Sequence, residues 1–404
     1  MADPFWPGDE RAGSLFSGPA LLDAMCRVEA AWLAALVDMR VAGPEARDDL
    51  AGLAGPSDVA RVATGAEAGG NPVIPLLGLL RERLRARNPA AADWLHKGLT
   101  SQDVLDSALM RCAADLLERL RGELSDQISG LVELTERHRG TPMAGRTLTQ
   151  HAVPITFGLK AAQWLTGVLD AAEDLAALTL PAQFGGAAGT LAGAAELARL
   201  AGLPDPPARG NELATRAAAM LGLRAGPPWH TARAPVTRLG DALVRATDAW
   251  GRIAADVLTL SRPEVGELAE GTGGGSSTMP HKANPVLSVL VRRAALAAPP
   301  EAARLHLAAA DARDERPDGA WHLEWSALAT LGRHTATAAG QTTELLRGLR
   351  VFPDRMAATA RSSADALFAE RRSLAPAATG DYLGAADLII DAVLDRAHRL
   401  KVQP

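Results

Sequence analysis

The chain has 404 residues and a formal net charge of -5. That length gives room for about two or three structural regions around a large core, and so mild a charge leaves no electrostatic footprint for nucleic acid or an anionic membrane. Alanine and leucine dominate, with eight Trp, six Phe and a single Tyr, a usage that favours helix over sheet. Cys26 and Cys112 are far apart and lack metal-ligand spacing, so they read as reduced core thiols of a cytoplasmic protein. The N-terminal Met-Ala-Asp-Pro-Phe-Trp-Pro-Gly-Asp-Glu has neither the basic segment nor the apolar core of a signal peptide, and no apolar run is long enough to span a bilayer.

In chain order, a first helical region covers residues 1–95. Residues 20–41 read as a helix with Leu21, Leu22, Met25, Val28, Leu33 and Leu36 on its apolar face, stopped by Gly43-Pro44. Gly69-Gly70-Asn71-Pro72 then breaks the chain before the apolar segment 73–80 and the charged stretch 81–87. A central region, 96–350, opens on His96-Lys97-Gly98-Leu99-Thr100-Ser101-Gln102-Asp103. Thr100 with Asp103 approximates a capping box, while hydroxyls and free amides at a helix start also suit a carboxylate.

Behind this segment the apolar residues fall at 105, 109, 112, 116, 120, 124, 128, 131 and 134, a mean step of about 3.6 and hence one helix buried along a stripe. About 30 residues of helix span roughly 45 Å, which implies a bundle. Further helical patterns cover 155–177, 185–203, 212–221, 235–260, 286–310 and 321–349. A short C-terminal region, 351–404, carries helical patterns at 353–368 and 384–400, separated by Pro376, Gly380 and Tyr382.

Three more segments interrupt the helices with polar residues in an order that packing does not explain. Gly145-Arg146-Thr147-Leu148-Thr149-Gln150-His151-Ala152-Val153-Pro154 clusters donors ahead of an apolar helix; a surface arginine and a hydrogen-bonded core histidine are the plain alternative. Thr272-Gly273-Gly274-Gly275-Ser276-Ser277-Thr278-Met279-Pro280-His281-Lys282-Ala283-Asn284-Pro285 combines a glycine hinge, two hydroxyls, a cation and an amide, with prolines stiffening the part around Lys282 and Asn284. A closing loop with a hydroxyl beside a cation suits chemistry in which charge grows on a carboxylate; glycine and serine alone would be a linker. Glu315-Arg316-Pro317-Asp318-Gly319-Ala320-Trp321-His322-Leu323-Glu324-Trp325 puts an arginine at a turn, where it can grip a carboxylate.

Taken together, TSQD, RTLTQHAVPITFGLK, QFGGAAGT (183–190), GSSTMPHKANP and ERPDGAWHLEW resemble the fumarase/aspartase superfamily across residues 15 to about 345. Within it they look closest to the bacterial 3-carboxy-cis,cis-muconate cycloisomerases. Gly70-Asn71-Pro72-Val73-Ile74-Pro75 resembles their N-terminal substrate region and stands where adenylosuccinate lyases carry Arg-His-Asp. The resemblance implies an all-α, three-region fold with a long central bundle, assembled as a homotetramer in which three chains meet at each active site. It implies a small di- or tricarboxylate substrate and a reaction through an aci-carboxylate, without cofactor or metal. Ser276 would carry the proton, and Lys282 with Asn284 would hold the carboxylate whose charge rises. Asn71, Thr100, Ser101, Arg146, Thr147, Gln150, Ser277, Met279 and Arg316 would bind substrate, and His151 would act as binder or donor.

The implied reaction is lactonisation of 3-carboxy-cis,cis-muconate in protocatechuate breakdown. Its rival is release of nitrite, ammonia or an amine from a substituted succinate to give fumarate. A structural protein recruited from this fold is a third reading, opposed by the joint presence of Ser276, Lys282 and Asn284. Leu148 stands where several of these lyases carry His and the cycloisomerases often a bulky residue, and the C-terminal region is short.

Overall fold

A computed structural model of the chain describes residues 3–271, 273–275, 278–279 and 282–402. The N-terminal part holds α1 (Gly18–Asp38), α2 (Val59–Gly69), α3 (Val73–Arg87) and α4 (Pro89–Trp94). Ser17 starts α1 by accepting the Ala20 N–H at 3.3 Å, and the helix buries Leu22, Met25, Val28, Trp32 and Leu36, spaced by three or four residues. The central part comprises α5 (Ser101–Arg137), β1 (Pro142–Thr147), β2 (Gln150–Thr156), α6 (Phe157–Ala176), α7 (Ala192–Leu200), α8 (Pro206–Met220), α9 (Ala234–Leu260), β3 (Leu268–Ala269), α10 (Val286–Ala310) and α11 (Gly319–Arg347). The chain closes with β4 (Arg350–Val351), α12 (Pro353–Ser362), α13 (Ala364–Leu367), α14 (Ala369–Leu374) and α15 (Ala386–Val402). The fold is the expected all-α architecture around long central helices. No helix among the described residues is long and apolar enough to cross a membrane.

Helix α5 is the longest rod, 37 residues. At 1.5 Å per residue it runs about 55 Å. Helices α9, α10 and α11 run back and forth beside it, α10 packing on both α9 and α11, and α11 on α5. Helix α9 buries Val236, Leu239, Leu243, Ala246, Trp250, Ile253, Val257 and Leu260 on one face, and the Trp250 indole donates to Gln127 Oε1 of α5 at 2.8 Å. Two buried threonines on α11 bond the previous turn, Thr335 to Leu331 O at 2.7 Å and Thr342 to Ala338 O at 2.8 Å.

Two stretches depart from the sequence reading, and a third follows it against local chemistry. Residues 185–191 are a loop rather than helix: Gly186, Gly189 and Leu191 have positive φ, and the buried Asp103 takes the Gly185 and Gly186 amides at 2.8 and 2.9 Å. Residues 142–156, read as a polar segment before a helix, form an antiparallel β1–β2 hairpin. Its bulge lies between Ala144 and Arg146, where a Cβ on Gly145 would come within 2.6 Å of Val153 O. Helix α10 continues through Pro299-Pro300 over the full expected range despite the amides those residues lack.

A buried ion network fastens α9 to α5 and α11. Arg233 donates to Asp106 at 2.7 Å and to Glu324 at 2.5 Å, all three side chains being essentially without solvent. Trp321 Nε1 and Gln102 Nε2 donate to the same Asp106 at 2.9 and 3.1 Å. Burial pushes the Glu324 carboxyl up, and Arg233 pulls it back. Arg233→Met leaves two carboxylates buried without their cation and is expected to cost about 3–5 kcal/mol, read as a shift of the urea midpoint.

The segment before α1 straps onto α10 and α11. Asp9 pairs with Arg333 at 2.6 Å, and Trp6 stacks on His334 with Arg293 over its ring. Burial, with the Arg293 cation beside it, pushes the His334 imidazole from 6.5 down to about 4. The unfolded chain therefore binds a proton that the native state refuses, so this contribution is intact above about pH 6.5 and is lost as pH falls toward 4. His334→Phe should keep parent stability near neutrality and unfold less readily than the parent on acidification, as thermal melts across that window would record.

Candidate functional site

The expected site residues separate into two groups at opposite ends of α5. At its N-terminal end Thr100 is the helix cap, extended at φ -124°, ψ 162°, and its N–H donates to Asp103 Oδ2 at 3.0 Å. Asp103 also holds the 185–186 amides, so one buried carboxylate joins the start of α5 to the glycine loop. Arg316, in the turn before α11, bonds Thr100 Oγ1 and lies 3.5 Å from Ala187 O. Ser101 is the first residue of α5 and half-buried. The capping reading of this segment thus holds, with Arg316 gathered beside it.

Asn71 belongs to the same end, but its side chain is committed locally. Its Oδ1 accepts the Val73 N–H and its Nδ2 donates to Gly69 O, both at 3.1 Å, which shapes the entry to α3. His322 of α11 latches this turn through Nε2 to Gly70 O at 2.8 Å.

The other end, beyond Arg137, carries the hairpin and the glycine-hinged loop. Leu148 and Thr149 make the hairpin turn with φ of 48° and 71°, the left-handed pair that a two-residue turn of this twist requires. Thr147 pairs with Gln150 and Arg146 with His151 across the ladder, and Thr147, Gln150 and His151 are exposed around the tip. Leu148 is 95% exposed. Arg146, expected to bind substrate, instead gives Nη1 and Nη2 to the buried Glu267 at 3.0 and 2.8 Å. This bidentate grip occupies the fork that would recognise a carboxylate, so Arg146 anchors the hairpin.

Ser276 and Ser277 lie outside the described residues. The loop around them is closed at its base by Gly274 and Asn284, which exchange two backbone hydrogen bonds of 2.8 Å. Met279 and Lys282 are exposed, and Asn284 is half-buried with Nδ2 3.4 Å from Gly275 O. The amides that open α10 are taken: Val286 N–H by Asn284 O at 2.9 Å, and Leu287 and Ser288 N–H by Glu270 at 3.1 and 2.7 Å. The start of α10 therefore has no free amide among Val286, Leu287 and Ser288 to offer an anion.

Glu267 and Glu270 were missed as site-building residues, as was the reach of Asp103 to the 185–186 amides. Two glutamates three apart just ahead of the glycine run were the available signal, but nothing in their neighbourhood names Arg146 or Ser288 as a partner. Among the described residues no group of three or more His, Cys, Asp or Glu stands together as a metal site.

Residues 61–298 match a family model described as Lyase. The chain is 42% identical over 362 residues to nitrosuccinate lyase of Streptomyces davaonensis, covering 85% of this chain and 75% of that protein. It is 36% identical over 350 residues to 3-carboxy-cis,cis-muconate cycloisomerase of Bradyrhizobium diazoefficiens, covering 84% and 74%. The crystal structure of 3-carboxy-cis,cis-muconate lactonizing enzyme from Pseudomonas putida superposes with a TM-score of 0.82 at 26% identity, covering 97% of each chain.

Proposed function

We propose, from the premise that the chain belongs to the fumarase/aspartase superfamily of lyases, that it expels a small leaving group from a substituted succinate to give fumarate, with nitrosuccinate the first substrate to test. The observation that carries this choice is the Arg146–Glu267 grip. It leaves Arg316 at one end and Lys282 at the other as the guanidinium and ammonium for substrate, a match for two carboxylates. One carboxylate binds at Arg316, Thr100 and Ser101 and the other at Lys282 and Asn284.

In this reading Ser276 takes the proton from the carbon next to the second carboxylate. The C–H electron pair moves into that carboxylate as an aci-carboxylate, which Lys282 stabilises. The pair then returns to form the C=C bond, and the C–N bond breaks with its electrons on nitrite. Serine is a weak base in water, so closure of the loop and exclusion of solvent belong to the mechanism.

The same groups serve an intramolecular addition, in which a substrate carboxylate is nucleophile and Ser276 returns the proton. Likeness to the muconate enzymes favours this second reading. Equal amounts of nitrite and fumarate from nitrosuccinate are the expected result. Loss of diene absorbance from the muconate, with no nitrite from nitrosuccinate, would reverse the order.

Each site is assembled from two or more copies of the chain. The two groups of residues are about 55 Å apart along α5, too far to share one substrate within a subunit. Val286, Val289, Leu296 and Leu307 form an exposed apolar stripe on α10, and burying it between copies in a homotetramer brings unlike ends together.

Leu148 selects the leaving group in this scheme, since it projects from the hairpin without contributing to the core. Leu148→Trp is expected to change the ratio of activities on nitrosuccinate and on the muconate, with thermal stability nearly that of the parent. An unchanged ratio places selectivity elsewhere.

A further inference from the structure

We propose that residues 267–270 are a two-headed strut, in which the carboxylates of Glu267 and Glu270 hold the hairpin and the base of the glycine-hinged loop in one fixed frame. Both are positioning residues for the reaction proposed above, and the inference rests on that reading for its kinetic consequence.

The segment is extended, and residues three apart on an extended chain point to opposite faces. Glu267 and Glu270 therefore reach different elements from one short piece of backbone. Glu267, without solvent exposure, grips Arg146 of β1, and its own carbonyl accepts the Phe352 N–H at 3.1 Å. Between the two heads, Leu268 and Ala269 pair with Val351 and Arg350 of β4. Just beyond, a Cβ on Gly271 would lie 2.5 Å from Gly348 O, so the backbones there are in close contact. The middle of the strut is thus pinned to the end of α11.

Glu270 closes the other joint. It accepts the Ser288 N–H and Oγ–H at 2.7 and 2.6 Å and the Leu287 N–H at 3.1 Å. Pro285 occupies the cap position and offers no side-chain acceptor, so a carboxylate fifteen or more residues away does the capping. The loop base then follows: Val286 N–H reaches Asn284 O, and Asn284 exchanges two bonds with Gly274, where a Cβ would meet Val286 Cγ2 at 2.2 Å. The backbone of Asn284, two residues past Lys282, is thereby fixed to Gly274 and to the start of α10.

Glu270→Gln in the full chain tests this. Its carboxamide presents a donor toward an amide that needs an acceptor. Turnover of whichever substrate the parent accepts should fall about 100-fold with KM little changed, as for a displacement of roughly 1 Å at the reacting groups. Hydrogen exchange provides a readout that needs no substrate. A strut predicts faster exchange at Gly274 and Asn284 as well as at Leu287 and Ser288; a simple helix cap predicts it at Leu287 and Ser288 alone, which would overturn the proposal.

Adding Pro285→Asp to Glu270→Gln supplies an ordinary cap. It should protect Leu287 and Ser288 again while Gly274 and Asn284 still exchange quickly and turnover stays low. Return of parent turnover would also overturn the strut. If Glu270→Gln does not fold, Glu270→Asp carries the same readouts. A parent inactive on every candidate substrate would end the proposed function but leave the exchange pattern to decide the strut.

Discussion

Ser276→Ala is expected to lower turnover by about 10²–10⁴-fold, the range for loss of a positioned proton carrier, while the substrate still binds. The expectation comes from the serine's place six residues before Lys282 in a glycine-hinged loop, and from a loop base that Gly274 and Asn284 tie shut. Lys282→Met provides the contrast. With the α10 amides taken by Glu270 and Asn284, the start of α10 cannot share the ammonium's task, so its loss should fall on kcat more than on KM. A serine variant near parent turnover would remove Ser276 from the chemistry. A lysine variant raised only in KM would make Lys282 a uniform binder.

Mixing two inactive proteins should restore activity if they are damaged at opposite ends of the bundle. Arg316→Met disables the end at Thr100, and Ser276→Ala disables the loop end, with α5 between them. Dissociated and reassembled together, they should form some sites that draw an intact arginine from one copy and an intact serine from another. Ser276→Ala with Lys282→Met is the control: both lesions lie on one loop, so every site receives a damaged one. Two observations would refute sharing: parent activity in a species that light scattering shows to be monomeric, or no recovery in hybrids verified as mixed.

The long helices were legible because each carries its own evidence. Residues 286–310 read as helix from their apolar spacing and are helix over that range, and the stripe from Leu105 to Leu134 lies within α5. The capping pair Thr100–Asp103 was also visible, being local. The hairpin was not. Its strands contain Pro142 and Pro154 and its turn is Leu148-Thr149 rather than an Asn-Gly type, so the usual local signals of a hairpin are missing. Partnerships between distant residues were equally hidden. Arg146 looks like a carboxylate binder until Glu267 is found beside it, and Asp106, Arg233 and Glu324 come from three separate helices or their flanks.

The turn at Leu148 has an evolutionary reading as well as a geometric one. A leucine at φ 48° carries a steric penalty of about 1 kcal/mol or more. At 95% exposure it recovers little of that through packing in its own subunit. Asn-Gly would suit the backbone better and would leave the core untouched. Folding of the isolated chain therefore does not account for leucine at this position, whereas a contact made after assembly or with substrate would. If the proposed role of Leu148 holds, specificity can drift at the tip while the scaffold stays constant, because the core that defines the scaffold has no stake in it.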